Sequence, residues 1–524
     1  MNIISRLEFE VESHPSKPAF ILFSTKDKDW ETVTYQQLAD LIQRFSTGLQ
    51  ACSVAPNMRA ALMTPPSADF FALAFALLKL GVVPIILDPA IGLKKVGECL
   101  EESKPDIFIG NGLTHTLRIV FGWGKDTIKY NLTINSVKSQ KSKIKDPIPN
   151  YQSPITNSAA IIYTSGSTGL PKGAVYTHAN LAAQLDMLVE TFNISPDEID
   201  LPAFPLYALI DALIGVTSVI PDITFPVPGK TDPEKVLNAI RKFNVTNMFA
   251  SPVVLDILAK FQQQAAGLQS LKRVITAGAP ATIQLQEDFR KLLNDKTDLF
   301  GIYGATEVLP IAKIESREIF EVKNKSAKGA GVCLGKPVNG VTARIIEISE
   351  SAIAQWQDSL EVEPNVVGEI TVQSAAVTES YIARDEANLL SKIYNGNEVI
   401  HRMGDVGYFD EEGRLWYCGR KSHRVITKDD VLFTEQIEGI FNVHPLVYRT
   451  ALVGVDKKPV LWVELAKSGD KEKIKLELIE LAKDHPQASK IKTFLFMKKF
   501  PTDVRHNSKI IREQLTWLAE KRLR

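Results

Sequence analysis

The sequence predicts an α/β protein built around parallel β-sheets, and three observations carry that prediction. Helix-period stretches alternate with short strand-like runs through most of the chain, which is the pattern of strands joined by helical crossovers. The chain has 524 residues, which is too long for one hydrophobic core and implies two or three domains. The composition changes after Gly419, where a charged segment precedes a second set of alternating strands, so a domain boundary is predicted near Lys421.

The first elements follow the helix and strand periods in order. An amphipathic helix is predicted over 35–54, and a strand with its exit over 59–66. Because strands in such a fold carry ligands at their carboxyl ends, the loops that follow them are candidate binding sites. Further strands are predicted over 106–112, 159–165, 245–252 and 272–280.

The remaining segments differ in composition. Residues 125–157 are rich in Lys, Ser, Asn and Pro and are predicted as a polar surface loop. Strand alternation resumes over 451–465, and the tail over 508–524 has a helical period. No internal repeat of solenoid period is present in the sequence.

Two long apolar stretches, 70–90 and 201–221, are predicted as buried protein elements and not as membrane spans. The first carries Lys79 before turning β-branched, and the second carries Asp211 and internal turn signals. A span needs about 20 uninterrupted apolar residues. The N-terminus also lacks an uninterrupted apolar segment, so no secretory signal is predicted.

Charge and cysteine content narrow the class of protein. Lys+Arg and Asp+Glu both number 61, so the net charge of zero provides no overall field for nucleic acid. The 4 cysteines form no CxxC pair. This predicts reduced thiols in a cytoplasmic protein.

The stretch 163–173 reads YTSGSTGLPKG and is a candidate anion-binding loop. Gly166 and Gly169 allow backbone N–H groups to converge on an anion, while hydroxyl groups and Lys172 add donors and positive charge. The strand before it and the PKG after it predict a phosphate-binding loop. It matches neither a Walker A motif nor a nucleophile elbow, so a nucleotide enzyme of another type is predicted.

Further motifs follow this loop in a fixed order. They are TAGAP (276–280), YGATE (303–307), MGDVGYFDEEG (403–413), GR (419–420) and RHNSKIIR (505–512). Together they resemble the adenylate-forming superfamily of acyl-CoA synthetases, luciferases and peptide-synthetase adenylation domains, across nearly the whole chain.

The resemblance implies both an architecture and a reaction. It implies a large multi-sheet α/β domain over 1–421 and a small, mobile α+β domain over 422–524, with the active site between them. The implied enzyme is a ligase that uses ATP and Mg²⁺ to activate a carboxylic acid as acyl-AMP and releases pyrophosphate. Domain rotation would then change which C-terminal residues face the nucleotide.

The resemblance also implies the nucleotide site. Tyr303 is implied to stack on adenine, and Asp405 and Arg420 to reach the ribose hydroxyls. The implied nucleotide-binding residues are Thr164, Ser165, Gly166, Ser167, Thr168, Gly169, Lys172, Gly278, Ala279, Pro280, Tyr303, Gly304, Ala305, Thr306, Asp405 and Arg420.

Four residues are implied to act on the phosphates. Thr306 touches the α-phosphate, Glu307 helps to hold Mg²⁺, and Lys509 is the C-terminal catalytic lysine. A carboxylate that attacks the α-phosphate of ATP brings two anions together, so Lys172, Lys509 and a metal ion are needed to neutralise them.

Three positions depart from the common pattern of the superfamily. Ala208 replaces the histidine of a PLFH segment, Ser508 replaces the glycine before the lysine, and Asp429 replaces a glycine. That glycine usually lets the pantetheine arm of CoA pass close to the backbone, so CoA is doubtful as an acceptor. The segments around these positions resemble the olefin-pathway β-lactone synthetases, which activate a β-hydroxy acid with ATP and then cyclise it.

Such a substrate carries its own second nucleophile, because its hydroxyl can attack the acyl-AMP carbonyl within the same molecule. A base near the hydroxyl would help, and His423 and His506 are the candidates. The acyl pocket is expected to be apolar and near a helix that begins at Ala208. Its candidate residues are Phe204, Leu206, Tyr207, Ile210, Leu213 and Ile214.

Three functions therefore stand side by side. The first is a β-lactone-forming synthetase acting on a long-chain 2-alkyl-3-hydroxy acid. The second is a fatty acyl-CoA synthetase or fatty acyl-AMP ligase, and the third is a non-catalytic nucleotide- or acyl-binding relative. Lys172, Glu307, Asp405 and Lys509 together argue against the third, since a pure binder does not need all four. A long-chain product is compatible with peripheral membrane contact, and the sequence leaves the oligomeric state open.

Overall fold

The computed structural model describes residues 2–88, 91–139, 157–164, 171–223, 227–261, 268–502 and 509–524. Its α-helices are α1 (Ile4–Ser13), α2 (Tyr35–Ala51), α3 (Ala68–Lys79), α4 (Leu93–Ser103), α5 (Gly112–Phe121), α6 (Ile134–Lys138), α7 (His178–Phe192), α8 (Ala208–Leu213), α9 (Pro233–Phe243), α10 (Pro252–Lys260), α11 (Ile283–Arg290), α12 (Ser316–Ala327), α13 (Asp385–Ser391), α14 (Thr434–Phe441), α15 (Lys471–Ala482) and α16 (Arg512–Leu523). Short 3-10 turns lie at Pro205–Tyr207, Pro228–Lys230, Asp358–Leu360, Lys421–His423 and Ala488–Lys490.

The strands are distributed along the whole chain. They are β1 (Pro18–Ser24), β2 (Asp29–Thr34), β3 (Arg59–Met63), β4 (Val83–Ile86), β5 (Ile107–Gly110), β6 (Tyr130–Leu132), β7 (Ser158–Tyr163), β8 (Gly173–Thr177), β9 (Ile199–Pro202), β10 (Thr217–Ile220), β11 (Asn247–Ala250), β12 (Arg273–Thr276), β13 (Asp298–Ala305), β14 (Val308–Glu315), β15 (Val332–Pro337), β16 (Thr342–Ile346), β17 (Gly368–Gln373), β18 (Ser380–Tyr381), β19 (Lys392–Asn395), β20 (Glu398–Phe409), β21 (Leu415–Arg420), β22 (Val425–Ile426), β23 (Val431–Leu432), β24 (Val447–Val455), β25 (Lys458–Leu465) and β26 (Thr493–Met497).

Two sheets contain most of these strands. The larger has 14 strands in the order β16-β17-β20-β21-β15-β14-β13-β12-β11-β9-β10-β1-β2, with β19 beside β20. Its stretch from β13 to β1 is parallel, and the strands on either side are antiparallel. The second sheet has 7 strands in the order β18-β8-β7-β4-β3-β5-β6 and is parallel from β7 to β6. Helices cover these parallel strands, which confirms the predicted α/β class.

Several sequence predictions can be followed to individual elements. The helix predicted over 35–54 is α2, which begins where the Thr34 side chain accepts the N–H of Gln37 in a capping box. The apolar stretch 70–90 contains most of α3 and all of β4, and 201–221 contains α8 and β10. Among the described residues, none of the helices is both long enough and apolar enough to cross a bilayer.

The segment 125–157 differs from the prediction of a surface loop. Its described part contains β6, which pairs with β5, and α6, whose Val137 is fully buried. A strand of three residues and a helix of five are too short to show a period in the sequence. The residues between 140 and 156 lie outside the described part of the chain.

A smaller sheet follows near the C-terminus in the order β24-β25-β26. Strands β24 and β25 are antiparallel, while β25 and β26 are parallel. Apolar side chains of α14 and α15 bury one face of the sheet, and Leu515 of α16 packs with Trp462 in a second cluster. The last strand of the large sheet ends at Arg420. The domain boundary at residue 421 stays a prediction.

Candidate active site

The phosphate-loop sequence leaves the end of β7 and returns in β8. The backbone N–H of Thr164 donates to the carbonyl oxygen of Lys172 at 3.0 Å, and the N–H of Lys172 donates to Thr164 Oγ1 at 3.1 Å. The two ends of the loop are therefore tied together at its neck. The loop residues lie outside the described part of the chain; they are Ser165, Gly166, Ser167, Thr168 and Gly169.

The YGATE sequence forms the tip of the hairpin between β13 and β14. Ala305 is the last residue of β13, and Thr306 and Glu307 make the turn. Gly304 packs closely against the return strand, because a Cβ there would approach the Val308 carbonyl oxygen to 3.0 Å and would displace the Leu309 side chain. The hairpin therefore brings the backbone close to its own return strand and leaves Thr306 and Glu307 at the carboxyl end of a parallel strand.

Tyr303, Asp405 and Arg420 form one polar network. The hydroxyl of Tyr303 donates to Asp405 Oδ2 at 2.7 Å, and Arg420 Nη1 lies 3.1 Å from Asp405 Oδ1. That second carboxylate oxygen receives no hydrogen bond from the described residues, although Asp405 is only 4% exposed. Burial raises the pKa of Asp405, and the charges of Arg420 and Lys509 act against this rise. Lys509 therefore lies close enough to act on the same carboxylate.

Glu307 accepts a hydrogen bond from a residue that the sequence analysis did not select. The hydroxyl of Tyr381 donates to Glu307 Oε1. The ammonium nitrogens of Lys172 and Lys392 lie 4.9 Å and 5.5 Å from the centroid of the Tyr381 ring. Burial lowers the pKa of Lys172, and the charge of Glu307 opposes that shift. No local pattern marks Tyr381 or Lys392, because only the tertiary fold brings them to Glu307.

The predicted adenine-side loop follows β12, whose neighbour β13 leads to Tyr303. Gly278 has a positive φ of 92°, a conformation that favours glycine. Ala279 and Pro280 continue the loop to α11. The structure thus places all three predicted residues at the carboxyl end of a strand that adjoins the one carrying Tyr303.

Of the two candidate bases, the structure describes His423 and not His506. His423 lies in the 3-10 turn after β21, and its Nε2 is 3.4 Å from Glu513 Oε1 on α16. Burial, together with the charge of Arg512, lowers the pKa of His423 to about 4. Its imidazole is therefore neutral at pH 7, and the lowered pKa makes it a weaker base than an ordinary histidine. His506 lies outside the described residues.

Three of the six predicted acyl residues line a cavity. Tyr207, Ile210 and Ile214 line a cavity of about 60 Å³, where the Tyr207 ring stacks on Phe249 at a centroid distance of 3.9 Å. The other predicted residues, Phe204, Leu206 and Leu213, do not line it. Leu206 and Leu213 pack into the hydrophobic core beneath α8, which Ile210 and Ile214 also contact. The Phe204 ring lies edge-on to that of Tyr207, with centroids 5.9 Å apart.

One wall of this cavity is polar and buried. Asp200 and Asp211 line it together with Arg273. Burial is the largest cause that raises the pKa of both carboxyl groups, and each also acts on the other. Ser218 Oγ donates to Asp211 Oδ2 at 2.6 Å, and Arg273 Nη1 pairs with Glu198 at 3.0 Å.

Asp429 lies at the tip of the hairpin between β22 and β23. Thr427 shapes the tip, since its Oγ1 accepts the N–H of Asp430 at 3.0 Å and its own N–H donates to the Asp430 carbonyl at 2.9 Å. Asp430 in turn pairs with Lys490 at 2.6 Å. The aspartate at 429 is therefore on an exposed, well-connected turn that does not need a glycine.

The residues present fit an ATP–Mg²⁺ complex. Asp405 Oδ1 is buried and ion-paired with Arg420 Nη1, and it accepts no hydrogen bond from the described residues, so it can accept one from a ribose hydroxyl. Among the described residues, no cluster of three or more His, Cys, Asp and Glu side chains could hold a metal ion alone. Mg²⁺ is commonly bound by one or two carboxylates and substrate phosphates, so Glu307 is a suitable single ligand.

Comparisons with known proteins agree with this geometry. A family model described as AMP-binding enzyme matches residues 7–382. The chain is 39% identical over 516 residues to the olefin β-lactone synthetase of Xanthomonas campestris pv. campestris, covering 94% of this chain and 92% of that one. It is 38% identical over 512 residues to the olefin β-lactone synthetase of Stenotrophomonas maltophilia, with coverage of 94% and 92%.

Solved structures share the fold. The O-succinylbenzoate CoA synthetase of Bacillus subtilis, in complex with ATP and a magnesium ion, has a TM-score of 0.78 at 22% identity and covers 97% of this chain and 98% of that chain. An amide bond synthetase of Marinactinospora thermotolerans has a TM-score of 0.78 at 19% identity, with 99% of each chain covered. At these identities the likeness concerns the fold alone.

Proposed function

Because the chain belongs to the family of AMP-binding enzymes, we propose that it is a two-step ligase that makes a β-lactone. It adenylates a long-chain 2-alkyl-3-hydroxy acid with ATP and then closes the acyl-AMP to the four-membered ring. The observation that carries the second step is the match to two olefin β-lactone synthetases over 94% of the chain.

In the first step, a carboxylate oxygen of the substrate bonds to the α-phosphorus of ATP. The bond from this phosphorus to the bridging oxygen breaks, and pyrophosphate leaves with the electron pair. Lys172 and Lys509 neutralise the charge that develops on the phosphates, and Thr306 contacts the α-phosphate. Mg²⁺, held in part by Glu307, would supply further charge neutralisation there.

The nucleotide is oriented by the other end of the site. Asp405 Oδ1 accepts a hydrogen bond from a ribose hydroxyl, and Arg420, which is ion-paired with the same oxygen, supports the carboxylate. Tyr303 presents its ring to the adenine while its hydroxyl remains bonded to Asp405. The loop of Gly278, Ala279 and Pro280 borders the same base.

In the second step, the substrate's own hydroxyl oxygen attacks the acyl carbonyl carbon. The bond from that carbon to the AMP oxygen breaks, AMP leaves, and the hydroxyl proton passes to a base. His423, neutral at pH 7, and His506 are the proposed bases. Because the attack is intramolecular, proximity offsets part of the strain of the ring and no path for a second substrate is needed.

We propose that the boundary between two domains with different roles lies at residue 421. Residues 1–421 bind ATP and the acyl group, and residues 422–524 form a mobile lid that brings Lys509 to the phosphates. The thiols of Cys52, Cys99, Cys333 and Cys418 are free, which supports a reducing, cytoplasmic location.

Product analysis tests the proposal directly. The protein is incubated with ATP, Mg²⁺ and either a plain fatty acid or a 2-alkyl-3-hydroxy acid, with and without CoA, and the products are identified by mass. A β-lactone and AMP are expected from the hydroxy acid alone. A CoA thioester from a plain fatty acid would contradict the lactone assignment, and an absence of AMP would favour a non-catalytic binder.

A further inference from the structure

Lys392 carries a charge in the interior of the protein. It begins β19, is 2% exposed and is among the largest fully buried side chains. Burial lowers its pKa to about 8, and the largest opposing influence is the carboxylate of Glu307. Taking an ammonium group out of water costs several kcal/mol unless it is compensated, so its presence next to the site requires an explanation.

Two contacts hold the Lys392 ammonium group. Its Nζ donates to the carbonyl oxygen of Thr378, and the same nitrogen lies 5.5 Å from the centroid of the Tyr381 ring. The second distance is within the range of a cation–π interaction, which strengthens when the cation is desolvated. Both partners lie on the segment that leads into and through β18.

Both partners lead to Glu307. The backbone N–H of Thr378 donates to the carbonyl oxygen of Glu307 at 2.9 Å. The Tyr381 hydroxyl donates to the Glu307 carboxylate. Lys392 therefore supports the backbone of Glu307 by one route and its side chain by another.

Lys172 also lies over the Tyr381 ring, but its position differs. Lys172 is at the neck of the phosphate loop and is available to the triphosphate. Lys392 is 2% exposed and bonded to the Thr378 carbonyl, so it is held beside Tyr381 and away from solvent. A complex of ATP and Mg²⁺ has a net negative charge, so a retained cation behind the site favours its binding.

We propose that Lys392 is a positioning residue that holds Glu307, through Tyr381 and Thr378, in the orientation that receives the divalent cation of the nucleotide. This inference rests on the proposed function. It assigns Lys392 no contact with the substrate.

A calorimetric titration tests it without turnover. The ligand is the Mg²⁺ complex of an ATP analogue with a methylene group between the α- and β-phosphorus atoms. Lys392→Met and Tyr381→Phe are each expected to weaken binding about 10-fold, and the double variant about 10-fold rather than about 100-fold, since both act through one carboxylate. The loss should shrink as free Mg²⁺ is raised, which a general loss of structure would not produce.

Lys313→Met is the matched control. Lys313 Nζ also donates to a backbone carbonyl, that of Thr191 at 2.6 Å, and lies 5.1 Å from the Phe300 ring centroid. The Lys313→Met variant should bind the analogue with the affinity of the unaltered protein. Lys392→Gln keeps a donor without the charge and replaces Lys392→Met if thermal melting shows that the methionine variant is unfolded.

The outcomes separate this inference from the proposed function. Equal affinity of the unaltered protein and the Lys392 variants, or additive effects of Lys392→Met and Tyr381→Phe, would overturn the positioning role alone. A failure of the unaltered protein to bind the analogue would overturn the proposed function and this role together.

Discussion

The proposed nucleotide end of the site and the proposed acyl cavity are built in different ways. At that end, Tyr303, Asp405 and Arg420 lie on three strands of one sheet, and their polar atoms contact one another at 2.7 Å and 3.1 Å. In the proposed acyl cavity, apolar side chains from several helices and strands meet beside one polar wall. A hydrogen-bonded network needs particular atoms at particular positions, whereas apolar packing tolerates many combinations of similar volume. We therefore expect the polar network to serve the adenylation reaction and the cavity to select the substrate.

The largest expected effect tests the nucleotide end through the C-terminal segment. Lys509→Ala is expected to reduce pyrophosphate release roughly 1,000-fold, because it removes a cation from the charge that develops on the phosphates. Binding of ATP and the melting temperature should change little. Lys521→Ala, on the outer turn of α16, is the control. Unchanged pyrophosphate release in the Lys509 variant would remove Lys509 from the mechanism.

The next effect tests the ribose network. Asp405→Asn is expected to weaken ATP binding about 10- to 100-fold, because it replaces a charged acceptor and leaves Arg420 without its counter-charge. Equilibrium binding of ATP measures the change. Glu412→Gln alters an exposed carboxylate of the same sequence stretch and should bind ATP normally. Equal losses in both variants would mean that the network has no special role.

A smaller effect tests the acyl cavity. Ile214→Ala is expected to shift the preference toward substrates with a bulkier alkyl group by about 10-fold, since it enlarges the cavity without touching the nucleotide. Relative kcat/KM values for two chain lengths measure it. Leu213→Ala, one residue earlier, faces the core and should lower stability by about 2–5 kcal/mol without changing that preference. A shift in preference in both variants would contradict the assignment of the cavity.

The smallest effect tests the polar wall of the cavity. The pKa values of Asp200 and Asp211 are raised from 3.8 by burial, so the folded protein binds their protons more tightly than the unfolded chain does. Their contribution to stability is complete below pH 3.8 and is lost as the pH rises through the folded pKa values. Asp211→Asn should reduce this decline by about 1 kcal/mol.

Chemical denaturation over a series of pH values measures that decline. Asp222→Asn, on an exposed aspartate paired with Lys235, is the control and should follow the unaltered protein. Parallel curves for all three proteins would show that the buried pair does not titrate between the folded and unfolded states.

The sequence by itself determined the α/β class, the reaction family and the nucleotide-contacting candidates. Each of these depends on short contiguous patterns, because a glycine-rich loop or a strand-to-loop motif places its polar groups locally. The pattern failed for 125–157, where β6 and α6 are too short for a repeating period to be recognised. The prediction of a helix near Ala208 was confirmed, since α8 begins there.

Only the tertiary structure decided which side chains share a space. Leu213 and Ile214 both pack in the same hydrophobic core, but only Ile214 also lines the cavity, a difference that an apolar run in the sequence does not reveal. Glu307 and Tyr381 are 74 residues apart in the chain, and their hydrogen bond exists because β18 pairs with β8 beside the hairpin of Glu307. The direction in which a side chain points, and its contacts with distant residues, depend on tertiary packing. Packing leaves no periodic pattern in the sequence.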